Sequence, residues 1–145
     1  MVKGEKNMLV HERMSKHPIT ITEDTPINEA IKLMRDKKVR RLPVLNRKSE
    51  LVGIVSEKDL LHVSPSPATS LSIYELNYLI SKITAGEIMT TDVITVSEYT
   101  PLEEAARIMA DNKIGGLPVM RDEELVGIIT ESDIFRSFTE ILAAR

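Results

Sequence analysis

Apolar positions along this chain follow two alternating periods. The runs "PITIT" at 18–22 and "VITVS" at 93–97 are β-branched and short, predicting strands. After each run, apolar residues recur every three or four positions: Ile27, Ala30, Ile31 and Met34, then Leu102, Ala105, Ala106 and Met109. That spacing predicts an amphipathic helix with one buried face. Each helix is followed by two further apolar runs, "RLPVLN" with "LVGIVS" and "GLPVMR" with "LVGIIT", predicting two strands joined by a polar turn. A second, short helix begins at "EKDLL" and at "ESDIF". The predicted order is β-α-β-β-α, and it occurs twice.

The duplication extends to the letters. Residues 14–48 align with 89–123, and, after a one-residue gap at Ser49, residues 50–61 align with 124–135; 21 of the 47 aligned positions are identical. Chance does not produce this, so the chain is two copies of one repeat. A repeat of about 60 residues is too small to bury a comfortable core alone. The predicted fold is therefore α+β, two tandem β-α-β-β-α units packed through their apolar faces with pseudo-twofold symmetry. The expected domains are 8–68 and 69–145, each with a preceding helix that packs on its own unit.

Local signals refine this plan. Thr25 and Thr100 are predicted helix caps, with Pro26 and Pro101 in the first turn and Glu103 completing a capping box. "SPSPATS" reads as a linker. Beyond it, Ser72 and Glu75 form a second capping-box pattern. There, Ile73, Leu76, Leu79, Ile80 and Ile83 predict an amphipathic helix ending near Gly86. "MLVHERM" is its counterpart before the first copy.

Composition narrows the function classes. Hydrophobic residues make up 42% and charged residues 28%, values ordinary for a globular protein. No apolar run approaches the roughly 18 to 20 residues that span a bilayer, and the N-terminus lacks the apolar core of a signal peptide. The absence of cysteine removes disulfides and thiolate chemistry and fits a cytoplasmic location. A net charge of −3 and 3% aromatics argue against a nucleic-acid partner.

A twofold repeat carrying "LPV" and then "VGIVSEKD" or "VGIITESD" resembles a pair of CBS domains, a Bateman module. It is similar in particular to stand-alone bacterial and archaeal pairs of the acetoin-utilisation type. The resemblance implies a regulatory module that binds adenine nucleotides (AMP, ADP, ATP or a related adenosyl ligand) in clefts between two units. No cofactor is required, although Mg2+ would accompany ATP. It further implies a homodimer of pairs acting on an unidentified regulated protein. In that family the G-h-h-S/T-x-x-D motif grips the ribose, which assigns the role to Ser56 and Asp59 and to Thr130 and Asp133. A carboxylate can accept hydrogen bonds from both ribose hydroxyls. The same residues also read as ordinary helix caps with acidic first turns.

The copies differ where a phosphate would sit. Arg40 and Arg41 precede the "LPV" strand in the first, Gly115 and Gly116 in the second. Arginine forks bind phosphate oxygens bidentately, whereas glycines leave room and offer backbone N–H groups. The main nucleotide cleft is thus expected to use Thr130, Asp133, Ile94, Thr95, Arg40 and Arg41. A second cleft would use Ser56, Asp59, Ile19, Thr20, Gly115 and Gly116, and be weaker, empty or suited to a less charged adenosyl ligand. Lys37 and Lys38 read as a solvated helix end.

Catalytic sets do not emerge. His11, His17 and His62 lack carboxylates at metal-ligand spacing, and no phosphate loop, G-x-S-x-G or H-E-x-x-H motif occurs. The chain is expected to be no enzyme and to carry no metal. The alternative to a ligand sensor is a structural pairing module with empty clefts.

Overall fold

The computed structural model describes residues 8–63 and 70–144. Most of the expected linker, 64–69, lies outside the described residues. In chain order the elements are a 3-10 turn (Val10–Glu12), β1 (Ser15–Lys16), β2 (Ile21–Thr22), α1 (Ile27–Lys37), β3 (Arg41–Leu45), β4 (Leu51–Ser56), α2 (Glu57–Val63), α3 (Ile73–Ser81), α4 (Ala85–Ile88), β5 (Val96–Ser97), α5 (Leu102–Asn112), β6 (Gly116–Arg121), β7 (Glu124–Thr130) and α6 (Glu131–Ala143). The mixed α+β, twice-written β-α-β-β-α plan is present as the sequence predicts.

Two compact units result, and their boundaries cross the repeat boundaries. One is Ile19–Val93; the other joins the segment ending at Pro18 to Ile94 and everything after it. The first unit holds the sheet β2-β3-β4 and the second the sheet β1-β7-β6-β5. In each, a parallel pair is linked through a helix: β2 runs beside β3, and β5 beside β6. The hairpins β3-β4 and β6-β7 are antiparallel, with a register shift at Val44/Leu45 and at Val119/Met120. The predicted strands "PITIT" and "VITVS" shrink to two paired residues each, leaving Ile19, Thr20, Ile94 and Thr95 in irregular backbone just before the ladder.

Each unit has its own core. Ile27, Leu42, Val44 and Val55 are fully buried in one, and Val10, Leu117, Val119 and Ile129 in the other. The helical stripes face these cores as their spacing requires: Ile27, Ala30 and Met34 in α1, and Leu102, Ala105 and Met109 in α5, are buried. Each fully buried aliphatic side chain contributes about 1.5–3 kcal/mol relative to exposure.

The leading segments do not pack on the copies that they precede. Ser15 and Lys16 pair with Ile128 and Gly127, so the leading segment of the first copy completes the sheet of the second. Thr90 forms the corresponding bridge with Ile54, exchanging bonds of 3.0 and 2.9 Å, so the leading segment of the second copy completes the sheet of the first. The expected "MLVHERM" helix is only the three-residue 3-10 turn. The long helix expected to end near Gly86 stops at Ser81, and Ala85–Ile88 is a separate turn. Ser72 and Glu75 do form their capping box.

This exchange also explains why Thr25 and Thr100 are not helix caps. Both helices start one residue after the proline, at Ile27 and Leu102, without a side-chain cap. Their first amides donate instead to carbonyls of the exchanged segments: Ile27 N to Ile83 O at 2.9 Å and Leu102 N to Met8 O at 2.7 Å. With that amide satisfied, the threonine hydroxyls turn back and accept from Thr22 N (3.1 Å) and Ser97 N (3.0 Å), closing the preceding turn. The capping box expected from Glu103 is therefore absent.

Candidate functional site

The two S/T-x-x-D motifs lie where the second strand of a hairpin passes directly into a helix, β4 into α2 and β7 into α6. The first helical amide is tied back to the residue before the neighbouring strand: Glu57 N donates to Arg40 O (2.9 Å) and Glu131 N to Gly115 O (3.0 Å). Arg41 is the cross-strand partner of Ser56, and Gly116 that of Thr130. Directly opposed residues of an antiparallel pair share a face of the sheet. Within its own unit, then, the Ser56 motif stands beside an arginine and the Thr130 motif beside a glycine.

Asp59 and Asp133 are held in the same way. Asp59 Oδ2 accepts from Ser56 N (2.7 Å) and Ser56 Oγ (3.0 Å). Asp133 Oδ2 accepts from Thr130 N (2.9 Å) and Thr130 Oγ1 (3.1 Å). The residues thus do serve as helix-end caps, and this does not exhaust them. A carboxylate has two oxygens with about four lone-pair sites; the cap takes Oδ2 and fixes the direction of Oδ1. An immobilised carboxylate oxygen is a suitable acceptor for a hydroxyl or for a vicinal diol.

The two copies differ around this shared geometry. Asp133 is buried and Asp59 half-buried. Arg136 Nη1 lies 3.5 Å from Asp133 Oδ1, and Ser137 Oγ donates to Asp133 O at 2.7 Å. The corresponding positions after Asp59 are His62 and Val63. Sequence reading missed Arg136, although a carboxylate and an arginine three residues apart on a helix are neighbours. Arg40 is well exposed and lies 4.0 Å from Glu57, a pair worth little in water.

A further pairing outside the motif went unread. Glu98 is buried, and Arg121 grips it with Nε on Oε2 at 2.5 Å and Nη2 on Oε1 at 3.2 Å. The Arg121 hydrogen bonds and charge hold the Glu98 carboxyl below its ordinary pKa, against the opposing effect of burial. Its first-copy equivalents are Glu23 and Asn46, which cannot make an ion pair.

Among the described residues no three His, Cys, Asp or Glu side chains gather as a metal site. His11 packs edge-on against Tyr99, with ring centroids 6.0 Å apart. His62 is exposed on α2. No described helix is long and apolar enough to cross a membrane.

The family model of the CBS domain matches this chain twice, over residues 10–66 and 85–140. Among solved structures, the CBS domain pair of protein MJ0100 in complex with 5′-methylthioadenosine and S-adenosyl-L-methionine is similar with a TM-score of 0.78. It is 33% identical, with 93% of this chain and 98% of that chain covered. A protein of Vibrio cholerae assigned to acetoin utilization (AcuB) has a TM-score of 0.78 and 33% identity over 95% of both chains. CBSX2 of Arabidopsis thaliana in complex with AMP has a TM-score of 0.75 and 33% identity, covering 92% of this chain and 97% of that one.

Proposed function

The chain belongs to the CBS-domain family, and we propose that it is a regulatory module binding adenosyl ligands, with each S/T-x-x-D motif gripping a ribose. The carrying observation is the pair of carboxylates, Asp59 and Asp133, each fixed through one oxygen by its own helix cap. The second oxygen of each receives the ribose hydroxyls. Irregular backbone at Ile19–Thr20 and Ile94–Thr95, in the same units as the respective grips, offers peptide groups and apolar side chains to the adenine. Arg40 and Arg41 supply charge for a phosphate, whereas Gly115 and Gly116 leave space.

The ligands of similar pairs support an adenosyl class: methylthioadenosine and S-adenosylmethionine in one case, AMP in another. AMP, ADP and ATP are the nucleotides proposed here, with Mg2+ accompanying ATP. The role is regulatory rather than catalytic: ligand binding shifts a conformational equilibrium that a partner protein reads. Exposed apolar residues on α3 (Ile73, Tyr74, Tyr78) and on α6 (Phe135, Phe138) favour a homodimer.

Calorimetry and thermal shift with AMP, ADP, ATP, S-adenosylmethionine and GMP as the non-adenine control test the reading. A ligand at one hundred times its dissociation constant stabilises the fold by about 2.7 kcal/mol. Loss of that gain in the Asp59→Ala, Asp133→Ala double variant supports ribose gripping. Silence toward every adenine compound would leave the structural pairing module as the better reading.

A further inference from the structure

Resting on the ribose-grip reading, we propose that Arg136 is a positioning residue of the Asp133 grip, and that it makes the two grips unequal. Asp133 and Glu98 are the buried charged residues among the described residues, and the Asp133 side chain is only 9% exposed. A buried carboxylate is costly unless its charge is compensated. The donors from Thr130 both reach Oδ2, so they leave Oδ1 to be compensated otherwise. Arg136 Nη1, 3.5 Å from Oδ1, is the cation placed to do so. The bond from Ser137 Oγ to Asp133 O, 2.7 Å, pins the helical turn from which both side chains emerge.

Arg136 itself is 65% exposed, so it holds Asp133 from the solvent side and needs no repacking of the core to act. A carboxylate oxygen has lone pairs for more than one donor. Oδ1 can therefore keep its guanidinium neighbour while it accepts a ribose hydroxyl. With both oxygens held, the carboxylate does not have to be ordered when ligand arrives, and preorganisation of this kind raises affinity by lowering the cost of binding. The other grip lacks these devices. Asp59 is more exposed, His62 stands in place of Arg136, and Val63 in place of Ser137. The Asp133 grip thus fills first with an uncharged adenosyl ligand.

The test uses the full chain with Asp59→Ala, which leaves the Asp133 grip alone, and titrates adenosine and AMP separately by calorimetry. Arg136→Gln should weaken both ligands by a similar factor, about tenfold, with only a small fall in melting temperature because the arginine is largely exposed, and Arg136→Lys should recover part of the loss. Equal affinity in Arg136→Gln and its parent overturns the proposal. So does a loss confined to AMP, because the arginine would then touch phosphate rather than act through Asp133. If wild type binds adenosine but the Asp59→Ala chain does not, only this proposal falls. If wild type binds neither ligand, the ribose-grip reading falls as well. In an Asp133→Ala background, His62→Arg should tighten adenosine binding at the remaining grip; no gain overturns the view that this position separates the two.

Discussion

Met89 lies against Gly53 so closely that a β-carbon added to the glycine would run into its thioether sulfur, and Met14 stands in the same relation to Gly127. The methionines occupy equivalent places in the repeat, and each covers the second strand of the other copy's hairpin. Glycine is required here for close approach rather than for an unusual backbone angle. At Gly53 the nearest atoms all belong to the flexible Met89 side chain. At Gly127 a new β-carbon would also sit 2.9 Å from the backbone oxygen of Ser15, which cannot swing aside. Gly127→Ala should therefore destabilise more than Gly53→Ala, within the roughly 1–3 kcal/mol of an overpacked core. Urea denaturation of the two variants ranks them; equal midpoints contradict the packing argument.

Truncation probes the exchanged segments. Removing residues 1–16 deletes the strand paired with Gly127 and Ile128, together with the fully buried Val10. Hydrogen exchange should then accelerate in β7, far along the chain, while the β3-β4 hairpin keeps its protection. Faster exchange in the neighbouring first copy instead would contradict this pairing.

The Glu98–Arg121 pair predicts a pH-dependent contribution to stability. A carboxyl whose pKa is depressed by folding stabilises the native state above its unfolded value, ordinarily about 4.5. That contribution is lost as pH falls through the lower folded value. Glu98→Gln should be less stable than wild type at pH 7, and the difference should narrow below about pH 4.5. Denaturation midpoints compared at pH 7 and pH 3 check this. A difference independent of pH would show that shape rather than charge accounts for it.

Arg40 and Arg41 carry a separable prediction. Replacing both with Gln should weaken AMP by roughly tenfold or more, in line with the strength of charge-assisted phosphate contacts. Adenosine, which lacks the phosphate, should lose much less. Parallel titrations of both ligands distinguish the cases; an equal loss for the two would place the arginines in the fold rather than in phosphate binding.

Much of this was legible because periodicity and repetition report what a residue needs. The stripes on α1 and α5 and the two hairpins were readable from apolar spacing, and Asp59 and Asp133 from their duplicated setting. Periodicity does not report which partner supplies the need. Val10 and Ala85 are fully buried apolar residues, yet nothing local in the sequence says that the other copy buries them. Thr25 and Thr100 had the right chemistry for caps and lost that role to a distant carbonyl. Arg136 was not legible for the opposite reason: its relation to Asp133 is local, but the first copy has His62 there, so no duplicated setting marks it.

The crossed leading segments make the chain indivisible at its own sequence boundary. Cut between the repeats, each half would keep a donor segment with no strand of its own to pair with and would leave β4 or β7 with an open edge. Such halves are complementary fragments rather than independent domains. A lone repeat could close its sheet only by trading segments with a second copy, as the tandem chain does internally. Joining the two repeats in one polypeptide turns that bimolecular exchange into an intramolecular one, so that completion of both sheets no longer depends on protein concentration.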